Sequence, residues 1–248
     1  MTETRGLDPV RIAKLLAGLS PAEPPRLAFL RRAPAGLAVL PGTLLCLSAS
    51  FNPMTVAHAA LTREGSRLFS AQETLLLLAT ANVDKSGEGL PLERRCDLLL
   101  RFAESRSNVS VAAVAHGRFV DKMEAIRAAY PSDTRLIFLL GFDTLVRLFD
   151  PKYYTDREAS LTRLFDRSEC IVANRVLDSL NDVEALLARP DVAPFAHRIH
   201  PIRLPTHLIA VAATDVRARL TRGEPIAELV PPEILASLEH CWRDLRQH

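Results

Sequence analysis

Residues 44–58 read LLCLSASFNPMTVAH. The run Leu44–Ser48 is short, apolar and non-alternating, which predicts a strand covered on both faces. Small residues at 48–50 allow close backbone approach. Asn52 and Pro53 turn the chain, and Thr55 stands where an N-cap belongs, ahead of an amphipathic stretch from Val56 to Phe69. The prediction is strand, turn, helix. Such a helix start offers free N–H groups and a positive dipole to an anion, with His58 on the first turn beside it. The same residues read equally well as a turn whose Asn and Thr satisfy only backbone groups, next to a half-buried histidine.

Outward from this segment the chain alternates. Further strands are predicted at Glu73–Ala79, Val109–Val114, Leu136–Leu140, Cys170–Ala173 and Leu208–Val211. Helices are predicted at Leu92–Ala103, Val120–Tyr130, 144–149, Thr214–Thr221 and Pro232–Leu245. Continuous apolar strands alternating with helices predict a doubly wound α/β fold, a parallel sheet with helices on both faces. Ligands of such folds bind at the carboxyl ends of the strands. Residues 1–40 read as an N-terminal helical extension, with a helix from Pro9 to Leu19 and a Pro-rich stop at 20–25, and residues 41–248 as the main domain. The extension either covers a sheet edge or forms an interface in a homo-oligomer. Asp150–Ser168 reads as a long polar-aromatic insertion of the kind that forms lids.

Composition narrows the function classes. The chain has 248 residues, 48% hydrophobic and 24% charged, which excludes a mostly disordered polymer. No apolar run approaches the ~20 residues of a membrane span. The first residues lack the basic-then-apolar order of a signal peptide, so the expected location is cytoplasmic with no membrane partner. Net charge is +2, which gives no field for nucleic acid. Cys46, Cys96, Cys170 and Cys241 have no metal-ligand spacing and read as free thiols. Only four of the 31 basic residues are lysines, among them Lys85 and Lys122.

Two further segments resemble the first in design. Gly141-Phe-Asp143 ends the LIFLL strand. Gly141 lets a ligand approach, and Asp143 can accept from ribose hydroxyls or simply cap the next helix. At residues 211–217 (VAATDVR), Thr214 and adjacent N–H groups offer a second anion site with Arg217 on its first turn. There too an ordinary N-cap and a solvated arginine account for the residues.

Taken together, these segments resemble the nucleotidylyltransferase superfamily, specifically the nicotinamide and nicotinate mononucleotide adenylyltransferases. That family carries G-S-F-N-P-x-[T/H]-x-x-H, then G-x-D, then S-S-T-x-x-R. Here the order is Ala49-Ser50-Phe51-Asn52-Pro53-x-Thr55-x-x-His58, Gly141-x-Asp143 and Ala212-Ala213-Thr214-x-x-Arg217. Asp84-Lys85, Glu93-Arg94-Arg95 and the strand end leading to Arg175 also resemble family features, and the likeness spans roughly residues 43–235. It implies a Rossmann-like fold and transfer of AMP from ATP to a mononucleotide, forming a dinucleotide and pyrophosphate. By the resemblance, His58, Arg217 and Lys85 are catalytic, and Ser50, Phe51, Asn52, Thr55, Gly141, Asp143, Arg175 and Thr214 bind nucleotide. Mg²⁺ is implied as a passenger on the ATP phosphates, with no protein metal site.

The chain departs from the pattern at Ala49, and Ala212 and Ala213 replace two serines. Thr55 stands in place of the first histidine of H-x-x-H, as in eukaryotic-type nicotinamide enzymes. The family's tryptophans near the nicotinamide have no counterpart, leaving Phe149, Tyr153 or Tyr154 to stack. Phe149–Tyr154 and Gly117–Lys122 resemble a divergent subgroup known in fungi and some bacteria. His116, at a strand end, reads as a substrate contact or a loop histidine. The acceptor, and ATP against CTP, stay open. The loss of two serines keeps a second class in view, a nucleotide-binding or slowly hydrolysing regulatory module.

Overall fold

The computed structural model describes residues 8–80, 89–173 and 179–246. Its centre is a seven-stranded sheet. The strands are β1 (Ala28–Arg31), β2 (Thr43–Ala49), β3 (Glu73–Ala79), β4 (Val109–Val114), β5 (Arg135–Gly141), β6 (Glu169–Ala173) and β7 (Ile199–Ile202). Their order is β1-β4-β3-β2-β5-β6-β7. All neighbours are parallel except β1, which runs antiparallel to β4. Every residue of β3, β4 and β6 is buried, as their continuous apolar runs require when helices cover both faces.

One face carries α1 (Pro9–Ala17), α2 (Val56–Phe69), α3 (Leu92–Glu104), α8 (Thr206–Ile209), α9 (Ala213–Arg222) and α10 (Pro232–Leu245). The other carries α4 (Phe119–Arg127), α5 (Phe142–Leu148), α6 (Arg157–Arg167) and α7 (Ser179–Leu187). β2 shows the partition residue by residue. Leu45 and Leu47 face the first layer, and Leu44 and Cys46 face the second. Gly65 of α2 permits that helix to lie close, since a Cβ there would meet Leu45 and Leu139 side chains at 3.0 Å. The sheet is therefore the doubly wound α/β sheet expected from the sequence. Its order reverses between β2 and β5, whose ends are held side by side by the Leu47–Leu139 pairing.

Three local expectations are corrected. The sixth predicted strand, 208–211, is not one: residues 206–209 form the short α8, and the last strand is β7. β7 was hidden by Pro201, which an edge strand tolerates. The insertion 150–168 is a short 3₁₀ turn at Pro151–Tyr153 followed by α6, not an open lid. Leu161, Leu164 and Phe165 recur at helical spacing and are buried, a signal masked by the charged residues between them. Within the N-terminal extension, α1 buries Ile12 and Leu16 in the common core, and β1 extends the sheet beyond β4.

Among the described residues, no helix is long and apolar enough to cross a membrane. All four cysteines are buried free thiols.

Candidate active site

The loop after β2 is held by its own amide side chain. Phe51 takes a left-handed backbone (φ 45°) and is buried, which turns the chain sharply off the strand. Asn52 Oδ1 accepts the Leu90 N–H at 2.9 Å. Gly89 (φ 99°) packs on that amide so closely that a Cβ would fall 2.4 Å from Nδ2. Arg95, buried on α3, donates from Nε to the Leu90 carbonyl at 2.6 Å. An arginine–backbone–asparagine relay thus fixes the loop. The sequence reading placed Asn52 in the site but missed this partner, because nothing local links residues 38 apart.

His58 stands at the third helical position of α2, capped by Thr55. Its Nδ1 receives the Thr55 backbone N–H at 3.1 Å and lies 2.8 Å from the Thr55 hydroxyl. A backbone N–H can only donate, so Nδ1 is unprotonated and the ring proton of the neutral form sits on Nε2. Burial pulls the imidazole pKa down to about 4, keeping it neutral near pH 7. The Phe51 ring, 5.4 Å away, fixes the plane from the side. Thr55 therefore serves both as the helix cap and as the orienting group of the histidine.

Arg217 on α9 donates from Nη1 to the Asn52 carbonyl at 2.7 Å, which brings the first and third motifs together across 165 residues. The Val56 N–H to Leu229 carbonyl bond (3.0 Å) ties the same two regions. The cap of α9 is Ala212, which has no side-chain hydrogen bond to give, and the Asp215 carboxylate instead accepts the Ala212 N–H at 3.3 Å. Thr214 lies exposed one residue inside the first turn, so the reading of it as an N-cap is corrected. So is the strand expected ahead of it, since the chain arrives through α8.

The second motif meets the first at the strand ends. Gly141 caps α5, is exposed, and has open space where a Cβ would stand. Asp143 occupies the first turn of α5, exposed, and is not the cap. Ser50 is exposed at the mouth of the loop. Lys85 and Arg175 lie outside the described residues. Of the three aromatics expected near the base, Phe149 is buried with its ring stacked on Phe165 at 5.9 Å, and Tyr154 spends its hydroxyl on the Leu148 carbonyl at 2.6 Å. Tyr153 is exposed. Two buried polar atoms lie toward the same carboxyl ends without a hydrogen-bond partner, Ser48 Oγ on β2 and His116 Nδ1 after β4.

The arrangement sets a neutral imidazole N–H donor, a guanidinium and a helix start with no side-chain cap on one layer, and the Asp143 carboxylate at the start of α5 on the other. It suits a polyphosphate and a ribose.

No family model matches the chain. A Schizosaccharomyces pombe protein bearing the name of a nicotinamide mononucleotide adenylyltransferase is 28% identical over 208 residues, covering 76% of this chain and 81% of that protein. A Chromohalobacter salexigens protein named as a nicotinate-nucleotide adenylyltransferase is 27% identical over 210 residues, covering 78% and 92%. The solved Plasmodium falciparum nicotinic acid mononucleotide adenylyltransferase, complexed with NaAD, shares the fold with a TM-score of 0.61 at 14% identity, over 82% of this chain and 96% of that one. With the three motifs in family order, this chain is similar to the nicotinamide and nicotinate mononucleotide adenylyltransferases in sequence, and it shares their fold.

Proposed function

We propose that the protein transfers AMP from ATP to a pyridine mononucleotide, nicotinate or nicotinamide. A 5′-phosphate oxygen of the mononucleotide attacks the α-phosphorus. The bond from that phosphorus to the α–β bridging oxygen breaks, and pyrophosphate leaves. Little covalent chemistry falls to the protein, which aligns the two phosphates and stabilises shifting charge.

His58 supports this reading most strongly. Its Nδ1 is occupied by Thr55, so Nε2–H is the group free to donate to an α-phosphate oxygen, and it does so from a neutral ring needing no proton uptake. Arg217 and the start of α9, including Thr214, hold the β- and γ-phosphates. Asp143 takes a ribose hydroxyl beside the open space at Gly141. Ser50, Phe51, Asn52 and Thr55 shape the loop, and Lys85 and Arg175 add positive charge. Mg²⁺ enters bound to the triphosphate, where it neutralises charge and keeps most of its waters. Among the described residues no group of three His, Cys, Asp or Glu side chains is placed to hold a metal.

The test is pyrophosphate release from ATP and Mg²⁺ with nicotinate mononucleotide, with nicotinamide mononucleotide, and with neither. Release that requires an acceptor supports the transferase, and phosphate release without one refutes it. A single observation favours a second reading, a binding module: the α9 start has lost its side-chain cap at Ala212. ATP binding without turnover in either arm is its signature.

A further inference from the structure

Asn52 is gripped from two sides. Its carbonyl accepts Arg217 Nη1 of α9 at 2.7 Å, and its side-chain Oδ1 accepts the Leu90 N–H at 2.9 Å. The Leu90 carbonyl is held in turn by Arg95 Nε at 2.6 Å. Arg95 stands on the first turn of α3 and is only 5% exposed. Burying a guanidinium is costly, and α3 supplies none of the proposed substrate contacts. The Nε of this arginine is committed to a peptide carbonyl.

The backbone that this bond steadies is a demanding one. Phe51, at φ 45°, is left-handed, a conformation that a residue with a side chain keeps only where its surroundings fix it. On one side those surroundings are the two bonds to Asn52. On the other, the buried Phe51 ring lies 5.4 Å from the His58 ring. Gly89 admits the Leu90 segment to the Asn52 amide at a distance that no other residue allows, since a Cβ there would fall 2.4 Å from Nδ2. A shift of Leu90 is therefore passed to both proposed phosphate ligands. It reaches His58 through the Phe51 ring and Arg217 through the Asn52 backbone.

We propose that Arg95 is a positioning residue for the transfer. Acting through Leu90 and Asn52, it holds the His58 imidazole and the Arg217 guanidinium in register for one triphosphate. The inference rests on the transferase reading above and adds to it a group that touches no substrate. The atom responsible is Nε. Counted from Cβ, the amide nitrogen of glutamine takes the place of arginine Nε and keeps an N–H donor there, whereas methionine extends as far with no donor.

The experiment compares wild type, R95Q, R95M, N52A and the double variant R95M/N52A. N52A removes the Leu90 acceptor and keeps the backbone carbonyl that Arg217 uses. The pyrophosphate assay gives kcat, calorimetric titration gives ATP affinity, and melting temperature reports the fold. R95M is expected to lose at least about tenfold in kcat, as misaligned reacting groups do, and to bind ATP more weakly. R95Q keeps most of both, even where its melting temperature drops. The double variant loses no more than the worse single one, because both substitutions break the same relay. Equal losses of kcat in R95Q and R95M overturn the proposal, as do additive losses in the double variant, which mark Arg95 as packing for α3 alone. If R95M does not fold, N52A and R95Q decide: kcat lost in N52A and kept in R95Q supports the relay, and any other pattern overturns it. If the wild type binds ATP without turnover, the transferase reading fails, and the same cycle read on ATP affinity tests Arg95 by itself. A wild type that binds no ATP overturns both.

Discussion

Arg217 Nη1 and the Asn52 carbonyl are 2.7 Å apart, and that bond closes the candidate site by joining the loop after β2 to α9. The guanidinium has further donors free for an anion, in a fork that lysine lacks. Arg217→Ala is expected to weaken ATP binding at least ~10-fold, in line with about 1.5–3 kcal/mol for a charge-assisted hydrogen bond. Arg217→Lys should fall between the two. Calorimetric titration with ATP checks both, and equal affinity in all three proteins refutes the role.

For His58 the expected effect is on rate. His58→Ala should lower kcat by about 10²–10³-fold, the usual loss for one preorganised donor to developing negative charge. Melting temperature should change little, because Thr55 still caps α2. The pH profile follows from the burial-lowered pKa of about 4. The neutral ring is the folded form, so its contribution is complete above the ordinary value of 6.5 and is lost only as pH falls toward about 4. Wild-type kcat should therefore show no histidine step between about pH 5.5 and 8, and a step near 6.5 contradicts the assignment.

Restoring a hydroxyl at the α9 start tests the missing cap. Ala212→Ser places an acceptor opposite Asp215, whose carboxylate already takes the residue 212 N–H, and so completes a capping box. A gain of about 1 kcal/mol in stability is expected, seen as a rise of about 2–4 °C in melting temperature. ATP affinity should rise as well if the hydroxyl turns toward phosphate. A stability gain with unaltered ATP affinity assigns that contact to backbone N–H groups alone.

Glu73 illustrates a buried charge used for structure rather than chemistry. It opens β3, at the edge away from the site, and its carboxylate accepts the Tyr130 hydroxyl (2.6 Å), the Ser110 hydroxyl (2.5 Å) and the Leu37 N–H (2.6 Å). Glu73→Ala leaves three buried donors without an acceptor and should cost about 3–5 kcal/mol. Thermal unfolding measures the loss. The kcat/KM of the folded fraction should be unaltered, and a selective loss of activity would place Glu73 in the site after all.

A pH-dependent contribution to stability is expected from Glu169. Two hydrogen bonds from Arg135, at 2.7 and 2.8 Å, hold its carboxyl near about 2 against burial, and His200 adds a third at 2.6 Å. The folded pKa lies below the ordinary 4.5, so this contribution is complete above about pH 4.5 and disappears as pH falls toward 2. Melting temperatures of wild type and Glu169→Gln should differ at pH 6 and converge by about pH 2. A constant gap across that range refutes the ion pair as its source.

The alternation of the chain was legible wherever burial wrote a continuous pattern. Val56–Phe69, Glu73–Ala79, Val109–Val114 and Pro232–Leu245 have the same bounds in sequence and structure, because each combines a full apolar run or stripe with clear stop signals. β1 and β7 were not legible. They are four-residue edge strands, and the energy that orders them comes from a neighbouring strand rather than from their own sequence. α6 was obscured by its charged outer face.

By itself the sequence determined the α/β class, the strand–turn–helix containing His58, the Gly141–Asp143 strand end and the family these motifs resemble, all set by residues within a few positions of one another. The tertiary structure alone decided what those motifs meet. It placed Arg217 on the Asn52 carbonyl, Leu90 on the Asn52 side chain and a buried Lys122 beside Phe119. The reason is physical. Helical and strand periodicity are local, whereas a hydrogen bond between residues 165 apart, or an ammonium buried beside an aromatic ring, exists only once the sheet has brought distant segments together and excluded the water between them.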